Sequence, residues 1–145
     1  MDSPTQILPG VKSIGWLDCR HLHRSTGLLF KCFGELVAVS TTVHRIGWFA
    51  DASCRCDASS DGGKRSEKAT LVFSTDEALP DGVPLGFVVE APDGAMFLIG
   101  SCEPPLPVVS VTRTTGSANG GRAGFSYEIT HLALQAMLPC LALMD

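Results

Sequence analysis

The chain has little charge and no apolar run long enough to be a membrane-spanning helix. Charged residues make up 18% of its 145 residues, and 15 acidic against 11 basic residues give a formal net charge of −4. Nucleic-acid-binding proteins usually carry a basic stripe, whereas the main basic cluster here is Lys64, Arg65 and Lys68 in a segment rich in Gly and Ser. We therefore expect neither nucleic acid nor a membrane as a partner.

The N-terminal residues lack the pattern of a signal peptide. Residues 1–10 contain no cationic region followed by an apolar stretch, and Pro4 and Pro9 are expected to keep them irregular, as an arm. Residues 11–145 have the length of a single domain with its own core. Without an export signal we expect a cytoplasmic protein whose six cysteines stay reduced.

No group of residues indicates catalysis or a cofactor. The sequence has no Gly-x-Ser-x-Gly elbow, and nothing local pairs Cys102 with His131 and Glu103 as nucleophile, base and acid. Residues 57–62 match the start of a calcium loop, but Lys68 stands where that loop needs Glu. We expect no enzyme, no catalytic residues and no cofactor.

Three potential zinc ligands, Cys19, His21 and His23, stand at alternate positions. In a strand they would share one face, where thiolate and imidazole suit Zn²⁺, and Cys54 or Cys56 could supply a fourth ligand. The chain has no CxxC pair and no standard finger spacing. Polar loop residues and buried thiols are therefore the preferred interpretation, with these three residues as the zinc candidates.

Short β-branched and aromatic runs between turn residues predict an all-β chain. The clearest signal is a hairpin with strands over 85–90 and 95–100, joined by a Pro-Asp-Gly turn at 92–94. Alternation predicts further strands over 11–18, 69–75, 108–113 and 125–130, and a strand or strand pair over 35–48. The expected fold is an antiparallel β-sandwich or a partly closed β-barrel.

Two segments depart from this strand pattern. Residues 51–68 are rich in Ser, Gly, Asp and charge, and they are expected to form a long loop between strands. The apolar residues of the last strand stand at odd positions up to Ile129, but the next one, Leu132, stands at an even position. Either a bulge re-aims the last strand there, or residues 131–138 form one short C-terminal helix that Pro139 ends.

The two hairpin strands are apolar on nearly every residue, whereas a strand buried on one face should alternate. Either both faces of the hairpin are covered within the domain, or one face is exposed and is covered by a partner. Trp16 and Trp48 each follow an Ile-Gly pair and are expected as core anchors, or as interface hot spots where they are exposed. The interface candidates are Trp16, Trp48, Phe49, Phe87 and Phe97.

In size and layout the chain resembles the small β-rich proteins of tailed-phage virions and prophages, such as head–tail joining and tail proteins. The resemblance rests on the segment 51–68, the hairpin 85–100 and the strand–loop–strand ending over 108–130. It implies a structural subunit that self-associates or joins neighbouring structural proteins, and it carries over no catalytic residue. The alternative function is a small β-barrel module that binds a ligand, peptide or oligosaccharide near Trp16, Trp48 and Phe49.

Overall fold

The computed structural model describes residues 10–22, 37–39, 42–80, 82–101, 106–114, 124–133 and 136–144. The strands within them are β1 (Ser13–Asp18), β2 (Val37–Ala38), β3 (His44–Arg45), β4 (Ala50–Asp61), β5 (Lys64–Thr75), β6 (Leu85–Glu90), β7 (Met96–Ile99), β8 (Val108–Thr114), β9 (Gly124–Ala133) and β10 (Leu138–Leu141). A 3-10 turn, Cys19–His21, directly follows β1. The N-terminal arm predicted for residues 1–10 lies outside the described residues except for Gly10.

The strands form two sheets that pack face to face. The six-stranded sheet has the order β2-β10-β7-β6-β1-β3, and the four-stranded sheet has the order β4-β5-β9-β8. Every strand pair is antiparallel except β10 with β2. The predicted all-β class and sandwich architecture are confirmed, and the sheets do not close into a barrel.

The predicted central hairpin is present as β6 and β7. In its turn, the Ala91 N–H donates to the Ala95 carbonyl at 2.8 Å and the Gly94 N–H donates to the Ala91 carbonyl at 2.9 Å. The Asp93 carboxylate accepts from the Ala95 N–H at 3.0 Å. Gly94 has φ of 92°, a conformation that costs glycine little and other residues more. The Pro-Asp-Gly signal therefore identified this turn correctly.

The main core lies between the two sheets. Phe73 of β5 packs edge-to-face on Phe87 of β6 at a centroid distance of 6.3 Å, and it stacks on Tyr127 of β9 at 5.5 Å. Phe87 is fully buried. The prediction of Phe87 as an interface residue is therefore wrong, because its ring is an internal contact between the sheets.

A second apolar cluster covers the opposite face of β6 and β7. Val88 and Leu98, which point away from the main core, are both fully buried. The other buried members come from β1 and the turn after it, from the residue before β3 and from β10: Leu17, Cys19, Leu22, Val43, Leu138 and Cys140. Both faces of the hairpin are thus covered within the domain, which explains why its strands do not alternate.

The prediction of a long loop over residues 51–68 is wrong. These residues lie mostly in the long strands β4 and β5, which Gly62 and Gly63 join in a two-residue turn. Both glycines have positive φ, 59° and 83°, as a type I′ hairpin turn requires. Strand β9 pairs with β5 only as far as Glu67. Residues 58–66, named the hairpin arm below, therefore extend beyond the sheet as a two-stranded ribbon.

Two further strand predictions need correction. The described part of 35–48, predicted as one strand or a strand pair, contains two short strands. They lie at opposite edges of the six-stranded sheet and do not pair with each other, since β2 pairs with β10 and β3 pairs with β1. At Leu132, β9 continues to Ala133 without a register shift and leaves Leu132 57% exposed. In the described residues of 131–138 there is neither a bulge nor a helix, since 131–133 continue β9 and 136–137 form a bend before β10.

Candidate interaction surface

Strand β8 forms one edge of the four-stranded sheet. It pairs with β9 on one side, and in the described part of the chain no strand pairs with its other side. Alternate residues of such an edge present unpaired N–H and C=O groups to solvent. The sequence Val-Val-Ser-Val-Thr-Arg-Thr is rich in β-branched residues and carries one charge, at Arg113. These features make β8 well suited to receive another strand.

The other edge of the same sheet, β4, is protected against strand addition. Its pairing with β5 shifts register between Ala50 and Ser53, where Asp51 has φ of 54°. Arg55 and Asp57 form an ion pair of 3.3 Å on this strand. Bulges and charged side chains are the usual means by which natural sheets discourage edge pairing. The pairing of β8 with β9 proceeds in regular register through seven residue pairs, so β8 is the open edge.

An apolar groove of about 410 Å³ runs beside β8. It is lined by residues 78–80 and 82–85, by Leu106 and Pro107, and by Val109, Val111, Phe125 and Tyr127. The Leu79 N–H donates to the Tyr127 hydroxyl at 2.9 Å and so ties the segment opposite β8 to the sheet. Val111 lies directly across from the buried Tyr127, yet it is 54% exposed. The inner face of β8 is therefore only partly covered.

Exposed apolar side chains gather along this edge. Leu106 is 37% exposed, Val108 is 63% exposed and Val111 is 54% exposed. Leu106 and Val111 line the groove, whereas Val108 lies opposite Thr130 of β9 and points to the other face of β8. Single exposed apolar residues are normal on protein surfaces, but exposed apolar residues beside a groove and an open strand edge are typical of an interaction site. Sequence reasoning missed these residues, because their significance depends on β8 being an edge.

A second cleft, of about 430 Å³, surrounds Trp16. Its lining residues are Trp16, Asp18, His21, Thr42, His44, Pro80 and Val83. The Trp16 and His44 rings lie 4.4 Å apart between centroids, with an angle of 33° between their planes. Trp16 is half-buried and also packs against the main core. It is thus both a core anchor and part of a surface cleft.

Asp18 is fixed at the rim of the Trp16 cleft by its neighbour Arg20. The Arg20 guanidinium lies 2.7 Å from one carboxylate oxygen, and the Arg20 backbone N–H donates to the other at 2.9 Å. The side-chain hydrogen bond from Arg20, followed by the backbone one, lowers the pKa of Asp18 from 3.8 to about 2. The carboxylate therefore carries a charge that its own neighbour already balances.

The zinc candidates are not brought together. Because β1 ends at Asp18, Cys19 and His21 lie in a 3-10 turn rather than on one face of a strand. Cys19 is fully buried in the second cluster, whereas His21 is exposed in the Trp16 cleft, and His23 lies outside the described residues. Within the described ranges, no group of three His, Cys, Asp or Glu side chains could hold a metal ion.

The cysteines on β4 and β10 lie in environments unsuited to nucleophilic chemistry. Burial raises the pKa of Cys54 and of Cys140 to about 12. Burial, with the nearby Glu67 carboxylate, raises the pKa of Cys56 to about 11. Since the thiolate is the reactive form, these thiols are inert near neutral pH.

The buried His131 belongs to a structural contact between β9, β5 and the bend at residues 136–137. Its Nδ1 atom lies 3.1 Å from the Ala136 carbonyl oxygen, and Glu67 accepts from the Ala136 N–H at 3.1 Å. Cys102 and Glu103, considered above as its catalytic partners, lie outside the described residues. The contacts that are described hold the chain in place before β10.

The remaining interface candidates are partly accessible. Trp48, Phe49 and Phe97 are each half-buried, and Phe49 packs against the main core. The Trp48 carbonyl accepts from the Thr75 hydroxyl at 2.6 Å, which ties the segment before β4 to the end of β5. Neither Trp48 nor Phe49 lines the Trp16 cleft or the groove beside β8.

No helix in the described residues is long and apolar enough to cross a membrane. No protein-family model, curated protein or solved structure matches this chain.

Proposed function

We propose that this chain is a non-enzymatic structural subunit that self-associates through its β-domain, with the edge of β8 as the joining surface. The observation that carries this proposal is the combination of an unpaired, β-branched edge strand with a half-exposed inner valine, Val111, beside an apolar groove. On the basis of its resemblance to tailed-phage proteins, we propose that such a subunit belongs to a phage or prophage virion assembled in the cytoplasm. Neighbouring structural proteins of that assembly are the other partners proposed.

Addition of a strand at β8 would pair its free backbone groups and cover its exposed apolar side chains. The incoming strand pairs with the outward N–H and C=O groups, and its side chains cover the apolar residues along the edge. The hairpin β6–β7 offers no comparable surface, because both of its faces are buried within the domain. In this proposal self-association therefore depends on β8 and not on the hairpin β6–β7, although both strands of that hairpin are apolar on nearly every residue.

The hairpin arm supplies a second contact element. On its backbone, Ser59 lies opposite Ser66 and Asp61 lies opposite Lys64, so polar and oppositely charged residues occupy facing positions across the ribbon. The described side chains of residues 58–65 are exposed. At about 3.3 Å per residue, the arm extends roughly 13 Å beyond the sheet. In this proposal the hairpin arm, and not the long loop expected from the sequence, contacts a neighbouring subunit.

Light scattering of the purified chain at increasing concentration tests this proposal. We expect the average mass to rise above the monomer mass of 15.3 kDa. A chain that remains a compact monomer up to its solubility limit would overturn self-association as its function.

The Trp16 cleft supports a second candidate function, a module that binds a small polar ligand. An aromatic pair flanked by a carboxylate, a hydroxyl and an imidazole can stack on a ring and hydrogen-bond to its edge. Intrinsic tryptophan fluorescence, titrated with soluble oligosaccharides and short peptides, tests it. A saturable change that is lost in Trp16→Phe and kept in Trp48→Phe would favour this module. The absence of any change would leave the structural subunit as the better proposal.

A further inference from the structure

We propose that the strand received by β8 is β8 of a second copy of this chain, related by a two-fold axis through Val111. The two four-stranded sheets would then join into one continuous eight-stranded sheet. This inference rests on the proposed self-association, and it names both the partner and the register of pairing.

The sequence of β8 is self-complementary in this register. With Val111 on the two-fold axis, all seven residues of the strand are paired, and Val108 lies opposite Thr114 of the second copy. Val111 then meets Val111, and Ser110 meets Thr112. Pairs of β-branched residues and pairs of hydroxyl residues are favourable across antiparallel strands.

The single charge of β8 selects among registers. With the axis at Val111, Arg113 faces Val109 of the second copy, and its aliphatic stem can cover that valine. An axis at Arg113 would place two guanidinium groups directly opposite each other, which is unfavourable. An axis at Val109 would bring Pro107 into the pairing, where it cannot donate a hydrogen bond.

The register also completes the poorly covered inner face of each sheet. Val111 lies on the same face as the buried Tyr127, so two facing Val111 side chains would meet beside both apolar grooves. Their present exposure of 54% would then be largely removed. The interface uses the same edge on both copies and consumes it, so it closes at a dimer.

A disulfide cross-link tests both the surface and the register. Directly opposite residues in antiparallel strands have Cα atoms about 4.5–5.5 Å apart, which a disulfide spans, whereas diagonal neighbours lie about 7–8 Å apart. Under mild oxidation we expect Val111→Cys to form covalent dimers. Ser110→Cys should not do so alone but should cross-link when mixed with Thr112→Cys. The unsubstituted chain, oxidised in parallel, corrects for the native cysteines.

Substitution by lysine tests the same register without oxidation. In Val111→Lys two ammonium groups would face each other on the axis, so we expect the dimer to be lost. Leu141→Lys is the matched control, because Leu141 is 60% exposed, much like Val111, but lies on β10 of the other sheet and takes no part in the β8 pairing. It should keep the dimer. Far-UV circular dichroism of both variants should match that of the unsubstituted chain.

The outcomes separate this inference from the proposed function. If the unsubstituted chain associates but Val111→Cys cross-links no more than the unsubstituted chain does, the β8 register is overturned while self-association stands. If Val111→Lys associates as strongly as Leu141→Lys and the unsubstituted chain do, the β8 register is likewise overturned, and the β8 edge is then a surface for a different protein. A monomeric chain at every concentration would overturn both proposals.

Discussion

Replacing Leu98 by Ala tests whether the apolar hairpin is covered within the chain. Leu98 is fully buried in the second cluster, on the face of β7 that points away from the main core. The change removes about three methylene equivalents, which corresponds to about 2.4 kcal/mol of lost transfer free energy. Because a cavity adds to this, we expect a loss of about 3–4 kcal/mol in the free energy of unfolding. For a chain of this size that lowers Tm by roughly 10 °C or more.

Urea unfolding followed by far-UV circular dichroism measures this loss. Leu141→Ala is the matched control, because Leu141 lies on β10 of the same sheet but is 60% exposed, and its loss should stay below about 1 kcal/mol. Both values should be independent of protein concentration, since the residues that cover Leu98 belong to the same chain. A loss at Leu98 below about 1 kcal/mol, or one that appears only at concentrations where the chain associates, would refute internal coverage.

Three further predictions concern the turn, the carboxylate and the thiols. Gly63→Val should destabilise the chain by about 1–2 kcal/mol because φ is 83° there, whereas Gly63→Asn should cost less; thermal unfolding of the two variants measures the difference. The pKa of Asp18 is lowered to about 2, so the contribution of its carboxylate to stability is full above about pH 4 and is lost as the pH falls toward 2. In Arg20→Ala this pKa should return toward 3.8, which a carboxyl NMR titration measures. An unchanged pKa would contradict Arg20 as the cause. At pH 8 iodoacetamide should alkylate Cys54 and Cys140 far more slowly in the native chain than in urea, as followed by peptide mass spectrometry, and equal rates would contradict their burial.

The sequence predicted the elements that have strong local signals. The Pro-Asp-Gly turn at 92–94 and the β-branched run of β8 each specify their structure within a few residues. The prediction for residues 51–68 was wrong because the hairpin arm projects beyond the sheet and both of its faces contact solvent, so most of its residues are polar or glycine. The polar composition of residues 51–68 is typical of a loop and led to that prediction. The Gly62-Gly63 pair is instead the signal of a two-residue hairpin turn, and it predicts two paired strands.

The candidate surface was beyond sequence reasoning for a different reason. The exposed Val108 and Val111 stand in a run that reads like any buried strand, and only the sheet order places β8 at an edge. The same is true of Phe87, whose burial between the sheets depends on Phe73 and Tyr127 from distant parts of the chain. Pairing partners and edge status are non-local, so a single sequence does not determine them.

Amide hydrogen exchange at low and high protein concentration tests self-association at β8 most directly. If two copies pair through Val108–Thr114, the outward-pointing amides of β8 should exchange more slowly at high concentration, while those on the outer edge of β4 should not change. Protection that appears on β4, or exchange of β8 that is the same at both concentrations, would contradict the proposed joining surface.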